Sequence, residues 1–532
     1  MCNTLSATKS TKKIRATGHA TRIPLLFLVI TLGLTAGCIT VGPDYERPEP
    51  VMPDQWRQEL VQGLDEGDVD LRTWWETFDD PILNSLIERA TAANLDLKIA
   101  YARIKEARAQ LGIATGERYP DINSSGDAVR EKVSEGVFET PPPPRQRTDN
   151  FSQLSVDGSW EIDLWGRVRR SIESAGANYQ ASVEDYRDVL VVLYAEVARN
   201  YIQLRTLQER IRLAWANVED QRQTLELVVT RERAGLAPKL DVRQAELNLA
   251  TTESTIPTLE AARIAAINRL GVLLGQPPHA LHAELTPVEP IPRPPMQVAV
   301  ELPAELVRQR PDLRRTERVL ASQTARIGVA TAALYPNFSL AGTFGYATFK
   351  GDLLDASNET WSLGPFFTWN LFDGGRVRSA IRVEDARAEQ ALVNYEQSVL
   401  NALEDVENAM TGFAQERVRQ ASLARSVVAA QESVRLVKVL YRTGLTDFQN
   451  VLDMERSLFQ QQDLAADSQG TVAQNLVRIY RAFGGGWEPD GPAQGQEETY
   501  AEDNQDPEVQ QVIGGEPTDP KGAKVVKVGA SQ

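Results

Sequence analysis

The sequence predicts an α+β membrane protein built from a tandem duplication, with strands from several chains sharing one β-barrel and long helices adjoining it. Three observations carry this expectation. The chain resembles itself at a nearly fixed spacing, it contains alternating strands with one apolar face, and it holds two long proline-free helical stretches.

The duplication comes first. Asp96-Leu97 recurs as Asp312-Leu313, Gly112 as Gly328 and Tyr119-Pro120 as Tyr335-Pro336, at an offset of about 216. Further on, Trp160 recurs as Trp369, Gly166-Arg167-Val168 as Gly375-Arg376-Val377, Gly235-Leu236 as Gly444-Leu445, Val242 as Val451, Glu246 as Glu455 and Gly275 as Gly484, at about 209. The change of register lies between Tyr119 and Trp160, where the first copy carries the extra tract Pro141 to Pro144; insertions collect in exposed loop tips. Two units are too few for a solenoid, so duplication within a symmetric assembly fits better.

The strands are read from period-two alternation. Phe338, Leu340, Gly342, Phe344 and Tyr346 alternate with Asn337, Ser339, Ala341, Thr343 and Gly345. Leu363, Pro365, Phe367 and Trp369 alternate with polar or small residues, and only Phe366 breaks the pattern. In the first copy Leu154, Val156, Gly158, Trp160 and Ile162 oppose Ser155, Asp157, Ser159, Glu161 and Asp163, while Asp121 to Val133 makes a poor strand. Strands of about ten residues with one apolar face suit a transmembrane barrel, and four of them cannot close one. Several chains must therefore share the barrel.

The helices follow. Arg167 to Ala234 and Arg376 to Thr443 contain no proline, and a helix of that length runs about 100 Å. Gly235 and Gly444 are placed to end them as C′ glycines. Return helices are expected near Lys239 to Leu274 and Phe448 to Phe483, with shorter ones over Leu97 to Arg118 and Leu313 to Leu334. Gln276 to Pro295 is too proline-rich to be helical. Small residues such as Ala261-Ala262, Ala265-Ala266, Ala321, Ala325 and Ala429-Ala430 allow close helix approach.

At the N-terminus, Lys9, Lys12, Lys13, Arg15 and Arg22 precede an apolar run from Ile23 to Ala36, the pattern of an export signal and too short to span a bilayer. Leu34-Thr35-Ala36-Gly37-Cys38 resembles a bacterial lipobox, with Thr35 where leucine usually stands, so Cys38 is the expected lipidation site. Cys2 falls in the leader, which leaves the mature chain one cysteine and no internal disulfide.

The formal charge of −16, about −21 once the leader is removed, argues against nonspecific nucleic-acid binding. Only His19, His279 and His282 are present, so no metal site is expected. No nucleophile elbow, phosphate loop or metal-spaced cluster appears, so neither an enzyme nor a cofactor is expected.

Val41-Gly42-Pro43-Asp44-Tyr45-Glu46-Arg47-Pro48, Trp74-Trp75 with Phe78 and Asp80-Pro81, Tyr441-Arg442-Thr443-Gly444, Val451-Leu452-Asp453 and Leu476 to Gly486 together resemble the outer-membrane factor (TolC-like) family of tripartite efflux systems. Within it they resemble the lipoprotein branch typified by OprM and NodT. The resemblance covers nearly all of Cys38 to Trp487 and implies a homotrimer, with a 12-stranded outer-membrane barrel continuous with 12 columns of periplasmic helix. It also implies a passive conduit, supplied by an inner-membrane pump through a periplasmic adaptor. Domains then follow as a signal peptide (1–37), an anchor and equatorial segment (38–95), a first repeat (96–275), a proline-rich linker with a short helix (276–311), a second repeat (312–486) and a disordered acidic tail (487–532).

Carried over residue by residue, Asp241 matches the family's first-hairpin aspartate, Tyr441 the tyrosine linked to it and Asp453 an aspartate of the periplasmic constriction. Asn450 stands where some relatives have a second constriction aspartate and Thr446 where some have a linking arginine, which implies a less acidic gate, closed at rest. Gly235-Leu236 and Gly444-Leu445 each place a leucine at a helix end, suited to an adaptor hairpin. The competing reading is a lipid-anchored trimeric coiled-coil tether or adhesin, which has no use for alternating aromatic strands or Gly-Leu turns.

Overall fold

The computed structural model describes residues 40–50, 52–53, 55–57, 64–66, 71–132, 148–295, 297–300 and 309–487. The expected leader, Cys38, the Pro141 to Pro144 tract and the acidic tail beyond residue 487 lie outside the described residues.

Strand β1 (Leu64–Glu66) pairs in parallel with β4 (Val298–Val300). The other four, β2 (Asp121–Lys132), β3 (Thr148–Ile162), β5 (Asn337–Thr348) and β6 (Glu359–Thr368), form one antiparallel sheet in the order β2-β3-β5-β6. Helix α1 spans Pro81–Ala93. The duplication then shows in equal lengths: α2 (Leu95–Gly116) and α5 (Pro311–Ala332) have 22 residues each, α3 (Arg167–Arg233) and α6 (Arg376–Arg442) 67, and α4 (Lys239–Leu273) and α7 (Phe448–Ala482) 35. None of the described helices is long and apolar enough to cross a membrane.

Two compact units emerge, each drawing on both copies of the repeat. Of the described residues, the first holds Thr40–Glu46 with those of Ala109–Ala177 and Leu320–Gln390, and contains the four-stranded sheet. Its register puts Val156 opposite Phe344 and Trp160 opposite Leu340, then Phe344 opposite Trp361 and Gly342 opposite Leu363. One face is therefore a band of aromatic and aliphatic side chains, solvent-exposed in the single chain, with Trp361 at 73% and Leu363 at 71%. The other face is polar and internally bonded: Ser125 and Ser155 hydroxyls lie 2.9 Å apart, and Thr343 donates to Asp157 at 2.8 Å. Phe366, opposite Ser339, is the aromatic that breaks this face.

The weakest expected strand, β2, pairs with β3 along its whole length, from Asp121 opposite Ser159 to Lys132 opposite Thr148. Ladder hydrogen bonds belong to the backbone, so a strand poor in apolar residues is held once its neighbour is in place.

The second unit holds the described residues of Arg47–Arg108, Asn178–Val319 and Ala391–Trp487. Its core forms around the Trp74-Trp75 motif. Trp74 is buried and stacks on Tyr480 at 5.2 Å, and Trp75 meets Tyr194 edge-on at 4.8 Å. Asp80 caps α1 by accepting from the Ile82 and Leu83 amides, and its second oxygen accepts from the Tyr201 hydroxyl at 2.8 Å. One carboxylate thus satisfies orphan helix amides and fixes α1 against α3. Burying each such aromatic ring stabilises the unit by about 2–3 kcal/mol.

Of the expected small-residue contacts, Ala266, Ala321 and Ala325 are buried within the chain. Ala261, Ala262, Ala265 and Ala429 are exposed in it.

Candidate gate at the helix ends

The second unit also contains the four helix ends where the expected site residues fall. Both long helices finish identically. Gly235 (φ +70) donates to Glu232 O and Leu236 to Arg231 O, while Gly444 (φ +78) donates to Tyr441 O and Leu445 to Leu440 O. This paired 5→2 and 6→1 pattern is the Schellman motif, and its left-handed residue is why glycine is needed. The turns leave Leu236 67% and Leu445 75% exposed.

Behind the turns lies a small apolar cluster of Val228, Ala245, Val437, Tyr441, Phe448, Val451 and Leu452, supplied by all four helices. Tyr441 packs on Phe448 with ring centroids 5.3 Å apart. Its hydroxyl is buried without a hydrogen-bond partner. Burial and the nearby Asp241 carboxylate push the Tyr441 hydroxyl's pKa up. Asp241, in the first turn of α4, has its own pKa raised by burial and by Asp447, with Tyr441 and Arg231 opposing. The structure therefore brings Asp241 and Tyr441 together as neighbours, without closing a direct hydrogen bond.

The contact that does close is made by Arg231, a residue the sequence reading passed over. Its Nη1 donates to the carbonyl oxygens of Tyr441 at 3.1 Å and Arg442 at 3.0 Å, and its guanidinium lies 4.7 Å from the centre of the Tyr441 ring. A cation from the last turn of α3 thus holds the terminal carbonyls of α6, where the helix dipole favours positive charge. The duplication offered a clue: at the 209 offset, Arg231 stands where the second copy has Leu440.

Further along α6 and α7, Glu455 is buried among all four helices. It pairs with Lys438 Nζ at 2.9 Å, accepts from Thr224 Oγ1 at 2.6 Å and from Asn248 Nδ2 at 3.5 Å. Its repeat counterpart Glu246, at the surface, pairs among the described residues with its own neighbour Arg243. Arg210 adds a bidentate bond to Asp463, at 2.8 and 2.9 Å.

Asp453 and Asn450 stand apart from this cluster. Both are exposed on α7, where Asp453 accepts from Gln449 at 2.9 Å and Asn450 donates to Thr446 at 2.9 Å. Among the described residues Asp453 has no ion pair.

The profile of the outer membrane efflux protein family matches residues 86–276 and 302–485, spanning both repeats. The chain belongs to this family. Nodulation protein T of Rhizobium leguminosarum bv. trifolii is 32% identical over 465 residues, covering 86% of this chain and 96% of the relative. The pyoverdine export outer membrane protein OpmQ of Pseudomonas aeruginosa is 31% identical, covering 86% and 97%. Among solved structures, the outer-membrane channel OprN superposes with a TM-score of 0.78 at 36% identity, over 84% of this chain and all of that one. As a member of the family, the chain is an outer-membrane efflux channel, and the sheet with one apolar face is the part suited to lipid.

Proposed function

We propose that three copies of this chain form the outer-membrane duct of a tripartite efflux pump and carry small molecules passively, without catalysis. The observation that carries this reading is the four-stranded sheet, apolar on one face, polar on the other, with β2 and β6 as free edges. Backbone groups cannot stay unpaired in lipid, so the edges must pair with those of further copies. Three copies supply twelve strands. An inner-membrane pump provides the energy, and a periplasmic adaptor docks on the exposed Leu236 and Leu445 beside the Gly235 and Gly444 turns. Acylation of Cys38 ties each copy to the outer-membrane lipid.

Closure is assigned to the helix ends. Asp241, Tyr441 and Arg231 bind one hairpin to the other within a chain, and the three Asp453 carboxylates face a narrow lumen beside the neutral Asn450. Like charges around one axis repel and attract cations, so this ring takes up cations and is blocked by them.

Planar-bilayer recordings of the purified trimer test the reading. The parent is expected to pass little current, Arg231→Ala to pass more, and Asp453→Ala to lose cation block. A trimer that passes no current even with both substitutions would overturn the conduit.

A further inference from the structure

The segment that follows Cys38 is seated on the first unit by contacts that neither the duct nor the gate uses. The Val41 amide donates to Trp165 O at 3.1 Å, just beyond the end of β3. Arg170, in the first turn of α3 and 3% exposed, turns its guanidinium to the same segment. Nε donates to Val41 O at 3.3 Å, and Nη2 donates to Gly42 O at 3.4 Å and Asp44 Oδ1 at 2.6 Å. Only Nη1 is spent within the helix, on Glu173 at 2.8 Å.

The backbone fit is equally close. Gly42 sits at φ +89, and a methyl there would overlap Gly328 Cα. A methyl on Gly328 would lie 2.7 Å from Arg170 Cγ, and one on Gly166 2.8 Å from Thr40 Cγ2. Trp165 is itself fixed, stacked on Tyr335 at 4.7 Å and donating to Pro336 O at 2.8 Å.

The duplication provides an internal control. Gly375 is the counterpart of Gly166, Gly112 of Gly328, and Ser379 takes the place of Arg170. A methyl at Gly375 or Gly112 would meet nothing within 4 Å. The scaffold occurs twice, and in the single chain the junction filled is the one where the start of α3, with Gly166 and Arg170, meets Gly328 of α5, not the equivalent positions Gly375 and Gly112. Without the segment, the buried guanidinium would keep one partner of four, and a buried charge short of partners is costly. Segment and seat are therefore committed to one another.

We propose that Arg170, Gly42 and Gly328 form a clamp that seats the residues after an acylated Cys38 at the strand-to-helix junction. The lipid anchor then enters the bilayer beside the foot of β3, not at the end of a free tether. Thr40 is two residues from Cys38, a reach of about 7 Å. A short, fixed link raises the effective concentration of the strands at the lipid surface, which makes Arg170 a positioning residue for strand insertion. The proposal rests on the reading of Cys38 as acylated.

The test uses the full chain exported to the outer membrane of a Gram-negative host, with Thr40→Cys as the free thiol for a spin label. The parent label is expected to be immobilised. Arg170→Met should move most of it to the fast component and lower the yield of SDS-resistant trimer several-fold, while the N-terminal peptide keeps its acyl mass. Gly42→Val should do the same, and Arg170→Lys should restore part of the immobile signal. An immobile label with unchanged trimer yield in Arg170→Met overturns the clamp. An unacylated N-terminal peptide in the parent overturns the anchor role, whatever the label shows.

Discussion

The α3–α4 and α6–α7 hairpins end in one backbone and two chemistries. Both close with a Schellman turn on a left-handed glycine and expose a leucine. Yet Arg231 faces Leu440 across the duplication, Asp241 faces Asn450, and the surface Glu246 faces the buried Glu455. The positions kept alike are those that the chain's geometry requires. The positions that differ are those through which one hairpin grips the other.

The largest expected effect comes from the buried pair that has no counterpart in the first hairpin. Lys438→Met leaves Glu455 buried without its cation, which costs about 3–5 kcal/mol. Amide hydrogen exchange should report faster opening at the ends of α6 and α7. Adding Glu455→Leu should recover most of the loss, whereas removing the exposed Arg243–Glu246 pair should cost less than about 1 kcal/mol. Unchanged exchange in Lys438→Met would mean that the two hairpins are not held differently.

Next in size is Arg231→Ala. Losing its charge-assisted contacts to the α6 carbonyls should shift the closed-to-open balance about tenfold or more, read as bilayer conductance. Leu440→Ala, at the repeat counterpart, should leave conductance where it was. Equal effects from the two would remove the asymmetry from the gate.

The smallest expected effect is on pH. Burial and Asp447 raise the pKa of Asp241 in this arrangement of the helix ends, which the proposed gate takes as closed, so it binds a proton more tightly than a solvated aspartate does. Closure is then favoured fully below the ordinary aspartate pKa, and the gain is lost as pH rises through the raised value. Conductance should fall on acidification across that window and stop doing so in Asp241→Asn. A slope that survives the substitution would assign the titration elsewhere.

Much of this was legible in the chain before its structure. The period-two alternation of Phe338 to Tyr346 gave the strand and its lipid-suited face, and the repeat offsets matched helices of equal length. Gly235 and Gly444 marked the turns because only a left-handed residue closes them. What escaped was set by packing across helices. The reach of Arg231 to α6, the burial of Glu455 and the hold of Arg170 on Val41, Gly42 and Asp44 depend on partners 17 residues apart or far more. No local pattern encodes them. Asp241 and Tyr441, matched to the family's linked pair, lie close enough for each to shift the other's pKa.

The sheet's two edges carry a last consequence. β2 is polar and β6 aromatic, so an edge meets its opposite in the next copy and not its own likeness, and head-to-tail contacts of this kind grow into a ring. A ring has no spare member. In a cell making equal amounts of a sound chain and one with a ruined β2, only about one trimer in eight would be wholly sound. A lesion on a single edge strand should therefore act dominantly, silencing the product of an intact gene.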